Sequence, residues 1–156
     1  MTAAFSHRPL DAVDPGLVSA LHVDAFAPLG ERGWTAQEIA ALMAAPGVAG
    51  VLLEQGGAGI GFALCRIAAD EAELLTIAVR TDRRRQGAGR TLLELIVALA
   101  RKRGAHRLFL EVGADNPAAL ALYRRAGFQT VGGRPAYYSR PGRRAADAVV
   151  MRLALD

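Results

Sequence analysis

The chain has 156 residues, enough for one core without disulfide or metal staples, and its 52% hydrophobic and 22% charged content excludes the polar composition of disordered chains. One domain spanning residues 1–156 is expected. The net charge of +4 is unevenly divided: residues 1–78 carry three arginines against nine acids, whereas residues 79–156 carry sixteen basic residues, all arginine except Lys102, against six acids, so anion binding is expected of the second half.

Asp14-Pro15 reads as an N-cap with proline in the first turn, opening a helix through Leu17, Leu21 and Ala25. Thr35-Ala36-Gln37-Glu38 is a capping box before the apolar stripe Ile39, Leu42 and Met43, and Pro46-Gly47 stops that helix. The period then changes. Val48 to Glu54 and Ile60 to Ile67 are apolar runs around the turn Gln55-Gly56-Gly57, which predicts a hairpin, and Ala72 to Val79 supplies a third strand after the acidic turn Asp70-Glu71. From Gly87 the pattern is helical, with Leu92, Ile96 and Leu99 on one stripe, cations Arg101-Lys102-Arg103 at the negative end and Gly104 as the stop. Leu108 to Val112 reads as a buried strand. Asn116-Pro117 starts a helix through Leu120, Leu122 and Tyr123 that Gly127-Phe128 ends in the Schellman manner, and Val131 to Tyr138 and Asp147 to Leu153 are the last strands.

Cys65 is the single cysteine, so neither an intrachain disulfide nor a multi-cysteine metal cage can form, and His7, His22 and His106 lack ligand spacing; no metal is expected. No apolar run approaches the roughly 18 residues of a membrane span, and Met1 to Leu10 lacks a basic-then-apolar signal, so a cytoplasmic protein without membrane attachment is expected.

Between the strand ending at Val79 and the helix from Gly87 lies Arg84-Arg85-Gln86-Gly87-Ala88-Gly89-Arg90. The first turn of a helix has N–H groups without intrahelical partners and a positive dipole end, and glycines let a phosphate approach the main chain. Neither Gly-Lys-Ser/Thr nor G-x-G-x-x-G is present, which removes the P-loop and dinucleotide readings. On two glycines alone, a plain strand-to-helix turn with solvated arginines remains the better account. The arginine clusters of the second half lack the interleaved aromatics of a nucleic-acid surface, so no stable nucleic-acid binding is expected.

Several motifs in register narrow the choice. Arg84-x-x-Gly87-x-Gly89 after Ile77-Ala78-Val79 resembles the acetyl-CoA signature of the GCN5-related N-acetyltransferases, and the order of strands and helices resembles that family over almost the whole chain. Leu110-Glu111-Val112, Asp115-Asn116, Ala121-Leu122-Tyr123, Gly127-Phe128, Tyr137-Tyr138 and Asp147-Ala148-Val149-Val150-Met151 resemble its bacterial ribosomal-protein-alanine subfamily. The resemblance implies an α/β (α+β) fold: a mixed, mostly antiparallel sheet of six to seven strands, about four flanking helices, and a V-shaped cleft where a bulged strand ending at Val79 splays from the strand Leu108 to Val112. It also implies that the backbone of Ile77, Ala78 and Val79 meets the pantetheine arm and polarises the thioester, that residues 84–90 and Asn116 bind acetyl-CoA, and that Glu111 is the base and Tyr123 the group meeting the thiolate.

Asn116, Ala119 and Tyr123 share one helix face, so an asparagine cap and a phenol can both face the ligand. Taken without the resemblance, Glu111 reads first as an ion-paired or solvated strand-end charge, and Tyr123 as a core aromatic. An α-amine with pKa near 8 costs about 1.4 kcal/mol to deprotonate at pH 7, against about 4.6 for lysine, so a carboxylate acting through one water suffices for the first. An ordinary phenol is a weaker acid than a thiol by roughly 1.5 units, which sets a tension for Tyr123 as proton donor.

The resemblance implies as acceptor a protein N-terminus, the N-terminal alanine of a basic small-subunit ribosomal protein. A lysine or a small amine is the alternative. Trp34, Tyr137 and Tyr138 are candidates for holding the peptide, with core packing an equal reading. Asp24, Glu31 and Glu38 offer a complementary acidic rim, which the Arg140 to Arg144 run opposes. Pro135-Ala136 and Ala146 depart from the subfamily pattern on this side. A monomer or weak dimer is expected.

Overall fold

The computed structural model describes residues 4–156. Phe5–Pro9 forms a short edge strand (β1) that the sequence pattern does not reveal, since His7, Arg8 and Pro9 neither alternate cleanly nor favour a sheet interior. Pro15–Phe26 (α1) follows. Asp14 precedes it but does not cap it with its side chain. Its carboxylate is instead taken by Arg8, at 2.8 and 2.9 Å, and by the Asp11 N–H at 2.8 Å, so it ties β1 to the start of α1. A 3-10 turn at Ala27–Leu29 leads to Ala36–Ala44 (α2), where Thr35 and Glu38 form the expected capping box.

Val48–Gln55 (β2), Ala58–Ala68 (β3) and Glu71–Val79 (β4) make an antiparallel meander. Its first turn works because Gly56 and Gly57 both take positive φ, +59° and +80°, the geometry that matches the twist of paired strands. A second 3-10 turn, Thr81–Arg83, precedes Ala88–Lys102 (α3), which ends where Gly104 turns left-handed and the Ala105 N–H reaches back to the Ala100 carbonyl. Arg107–Gly113 (β5), Pro117–Arg125 (α4), Gln129–Tyr138 (β6) and Ala146–Ala154 (β7) complete the fold. The Phe128 N–H bonds the Tyr123 carbonyl and the Gly127 N–H bonds the Arg124 carbonyl, the Schellman ending expected of α4.

The described strands form one sheet in the order β1-β2-β3-β4-β5-β7-β6. All neighbours are antiparallel except β4 and β5, which run parallel. The two faces bury different helices. On one, Val18, Leu21 and Ala25 of α1 and Ile39 of α2 pack on Leu52, Phe62, Leu64 and Ala78. On the other, Leu92, Leu93, Ile96 and Ala100 of α3 and Leu120 and Tyr123 of α4 pack on Ile60, Leu74, Leu108, Leu110 and Met151. Each helix therefore buries an apolar stripe against a sheet face, the main stabilising term for elements this short.

Two irregularities shape the centre. β4 pairs with β5 only at Glu71/Arg107, Ala72/Leu108 and Glu73/Phe109, and beyond them the strands part. Just there, Thr76 is opposite Leu64 and Leu74 opposite Cys65, leaving Leu75 as the extra residue of a β-bulge. The bulge expected from family resemblance is thus present. It bends β4 away from β5 and opens the sheet in the middle.

Candidate active site

The split between β4 and β5 widens into a cleft of about 1500 Å³ that runs through the sheet, floored by α3 and α4 on one face and reaching α1 and the segment Phe26 to Trp34 on the other. Ile77, Ala78 and Val79 line one wall, and Leu110, Glu111 and Val112 line the other. Because β4 has no strand neighbour on this side beyond Glu73, its backbone groups there are free to bond a ligand.

At one mouth stands the start of α3. Gly87 is its N-cap with φ +85°, a conformation L side chains rarely adopt, and a Cβ built there meets nothing within 4 Å, so its requirement is conformational rather than steric. Arg84, Arg85, Gly87, Ala88, Gly89 and Arg90 line the cleft; Gln86 does not, and its side-chain oxygen instead accepts from Gln55 Nε2 at 3.1 Å. The loop is anchored to α1: Asp24 accepts from the Thr81 N–H at 2.9 Å, and Arg84 donates to the Ala25 carbonyl at 3.1 Å. Free helix N–H groups, a left-handed glycine and flanking arginines together fit a pyrophosphate.

Asn116 caps α4 by accepting the Ala119 N–H at 3.2 Å and also lines the cleft. Tyr123 lies two turns on, 5% exposed, with Phe128 edge-on at 5.7 Å. Burial pushes its phenol well above the ordinary value, which widens the gap to a thiol. A phenol in this state serves a thiolate as a hydrogen-bond donor better than as a free acid. Glu111 sits across the cleft on β5, its side chain 25% exposed and 2.9 Å from Arg134 Nη2 of β6. That half-exposed pair is worth little in stability, so Glu111 is not locked in it.

The acceptor end holds most of what the sequence reading missed. Between Arg134/Ala148 and Tyr138/Ala146 the β6–β7 register slips, and Asp147 accepts the Ala136 N–H at 2.7 Å, holding the bulge that Pro135-Ala136 introduces. The bulge presents Tyr137 and Tyr138, edge to face at 5.1 Å, and both line the cleft. Arg140 belongs to the run that the sequence sets against an acidic rim, yet it is buried. Its side chain is 1% exposed and donates to Asp115 at 2.7 and 3.0 Å and to Glu31 at 3.1 Å, while stacking 5.3 Å from the Tyr138 ring centre. The guanidinium holds the Asp115 carboxyl below the usual range. A second cavity, about 490 Å³, lies between Gly30–Arg32 and Tyr137–Pro141 and shares Glu31, Tyr137, Tyr138 and Arg140 with the first.

Trp34 lines the cleft but is stacked on His22 at 4.4 Å, and its backbone N–H donates to His22 Nδ1 at 3.1 Å. Burial lowers the His22 pKa to about 4, so the ring is neutral and carries its proton on Nε2. The expected acidic rim is corrected: Asp24 is occupied by Thr81, Glu31 by Arg140, and Glu38 by Arg32 and by the Thr35 N–H of the α2 cap. Carboxylates so placed hold loops together rather than await a basic partner. Among the described residues no group of three or more His, Cys, Asp or Glu is arranged for a metal ion, and no helix is long and apolar enough to cross a membrane.

Comparison with known proteins assigns the class to which this split sheet and glycine-arginine loop belong. The acetyltransferase (GNAT) family model matches residues 17–128, and the chain belongs to that family, the acetyl-CoA-dependent N-acetyltransferases. Among its relatives is the ribosomal protein bS18-alanine N-acetyltransferase of Escherichia coli K12, 44% identical over 104 residues, which are 67% of this chain and 70% of that protein. The enzyme of the same description from Haemophilus influenzae is 38% identical over 92 residues, 59% of this chain and 62% of that one. The crystal structure of the Escherichia coli ribosomal-protein-S18-alanine N-acetyltransferase superposes with a TM-score of 0.89 at 33% identity, covering 98% of this chain and 95% of that one.

Proposed function

We propose that residues 1–156 act as one cytoplasmic domain that acetylates the N-terminal α-amine of a protein, the alanine terminus of a small-subunit ribosomal protein, with Glu111 and Tyr123 as its working side chains. The observation that carries this reading is their convergence: Glu111 from β5 and Tyr123 from α4 enter one cleft at the point where β4 leaves β5. The likeness to the Escherichia coli enzyme, whose description names the bS18 alanine, supports the choice of acceptor.

Acetyl-CoA supplies, when bound, the thioester whose C–S bond is exchanged for a C–N bond, the electron pair leaving on sulfur. The N-terminal turn of α3, with Arg84, Arg85 and Arg90, would hold its pyrophosphate, and the open edge of β4 from Ile77 to Val79 would bond its pantetheine arm and the carbonyl oxygen. Glu111 takes the amine proton through a water, a task of about 1.4 kcal/mol for an α-amine at pH 7. The buried Tyr123 hydroxyl donates a hydrogen bond to sulfur as charge develops there. Tyr137, Tyr138 and the segment Gly30 to Trp34 flank the approach of the peptide, and the second cavity gives its following residues a path outward.

Two peptides of one ribosomal-protein N-terminal sequence, each with an internal lysine and one with its α-amine blocked, test the reading. Acetyl transfer is expected to the free terminus only. Equal reaction of the blocked peptide would refute the N-terminal assignment and favour lysine.

A further inference from the structure

Thr76 is 7% exposed, lines the cleft, and its hydroxyl is fully buried with no hydrogen-bond partner among the described residues. Burying a hydroxyl without a partner is unfavourable, and valine would fill the same volume without that cost. The hydroxyl therefore calls for a partner; it is shut from solvent in the rotamer it holds, and a turn about χ1 is what would bring it to a molecule in the cleft that Thr76 lines.

Its place in the fold says which. The parallel pairs of β4 and β5 advance together up to Glu73/Phe109. Continued across the single-residue bulge at Leu75, that register sets Leu74 abreast of Leu110 and Thr76 abreast of Glu111. The faces agree as well. Thr76 is paired with Leu64, and Ala78 with Phe62; Leu64, Phe62 and Ala78 all pack toward α1 and α2, so Thr76 points to that face. Leu110 and Val112 pack toward α3 and α4, so Glu111 between them points to the same face as Thr76. The two side chains thus stand on opposite lips of the split and on one side of the sheet, opposite the helix that carries Tyr123.

We propose that Thr76 is a positioning residue for proton removal: its hydroxyl and the Glu111 carboxylate together hold the water that relays the proton of the acceptor amine. The proposal rests on Glu111 being the base. In the step, one amine proton passes to the water oxygen while the water gives one of its own to a Glu111 carboxylate oxygen, so the water is regenerated. The bulge is what makes this possible, because unbroken alternation from Leu74 through Leu75 would turn the side chain at position 76 toward α3 instead.

The test compares Thr76→Val, Thr76→Ser, Glu111→Gln and the Thr76→Val/Glu111→Gln double variant. Thr76→Val is expected to melt at or above the wild-type temperature and to keep its acetyl-CoA affinity, yet to lose about 10- to 100-fold in kcat on the free-amine peptide, less than the about 10²–10⁴ that a general base supplies. Thr76→Ser restores most of the turnover. The double variant is no slower than Glu111→Gln alone, since both changes remove one relay. Wild-type turnover in Thr76→Val beside an impaired Glu111→Gln overturns the proposal while leaving the base assignment standing. So do additive losses, or a lowered melting temperature with no rescue by serine. An unimpaired Glu111→Gln removes the base itself, and this proposal with it.

Discussion

Replacing Arg140 by methionine puts the acceptor end of the cleft to a quantitative test. The guanidinium joins three separate segments: the β6–β7 loop that carries it, Asp115 in the turn before α4, and Glu31 in the stretch between α1 and α2. Methionine fills much of the same space but leaves two carboxylates without their partner. Removing one member of a buried pair costs about 3–5 kcal/mol. Here Asp115 keeps Arg143 at 3.3 Å, and Glu31 is 26% exposed and can be hydrated, so the lower end applies. About 3 kcal/mol corresponds to a fall in Tm of roughly 6–12 °C for a chain of this size. Because Asp115 titrates below its unfolded value, the clamp's contribution is complete above about pH 4 and is lost as pH falls through the folded value; Arg140→Met should lose that part of the acid slope. Thermal melts followed by circular dichroism across pH, with peptide and acetyl-CoA KM measured on the same samples, check both halves. The expected pattern is a raised peptide KM beside an unchanged acetyl-CoA KM, and recovery of much of the lost stability in Arg140→Met/Asp115→Asn. A Tm within about 1 °C of wild type, or equal losses for both substrates, would refute the idea that Arg140 ties the acceptor loops together.

Two further outcomes follow from the site. Gly87→Trp forces a left-handed conformation on a bulky residue, at about 1–2 kcal/mol, and stands an indole over the first turn of α3, where a Cβ alone meets open space. A modest fall in Tm with loss of acetyl-CoA binding by calorimetry is expected, and tight binding would reject the loop as the pyrophosphate site. His22 is neutral in the fold down to about pH 4, whereas in the unfolded chain it protonates near 6.5. Its folded pKa is the lower one, so stability is full above pH 6.5 and declines as pH falls toward 4, with a slope of at most about 1.4 kcal/mol per unit. His22→Gln should flatten Tm against pH in that window, and an unchanged profile would show that His22 does not set it.

How far the sequence reached depends on the range of the interactions involved. The capping box at Thr35, the Gly56-Gly57 hairpin and the Schellman ending at Gly127 are local, so a few adjacent residues carry the whole instruction. The start of α3 at Gly87 is legible for the same reason, whereas the reading of residues 84–90 as a cofactor loop came from family resemblance, since two glycines alone leave a plain turn as the better account. Asp14 was misread because its carboxylate had a better offer than the helix: an arginine six residues back on a strand that itself has no clear pattern. Nothing local marks Arg140 as a buried clamp, because its partners lie 25 residues away at Asp115 and farther still at Glu31, a distance no local pattern encodes. The bulge at Leu75 left no mark in composition or periodicity and entered only through family resemblance. Thr76 went unnoticed for the same reason, since a threonine in an apolar strand is ordinary until its face and its missing partner are known.

The three-pair contact between β4 and β5 has a mechanical consequence. A sheet ordinarily shares load across every rung, but here the two halves are joined by a short seam at one end, reinforced by Arg107 reaching Asp70 and Glu71 and by the His106 N–H on the Asp70 carbonyl. At the opposite end, among the described residues, Arg140 straps one half across to Glu31 of the other. The molecule is in that sense a clothes-peg, sprung at the foot and fastened at the jaw. A change in spacing at the jaw reaches the lips that carry Thr76 and Glu111 in reduced measure, because they stand close to the seam, so residues far from the cleft's centre can trim its width finely.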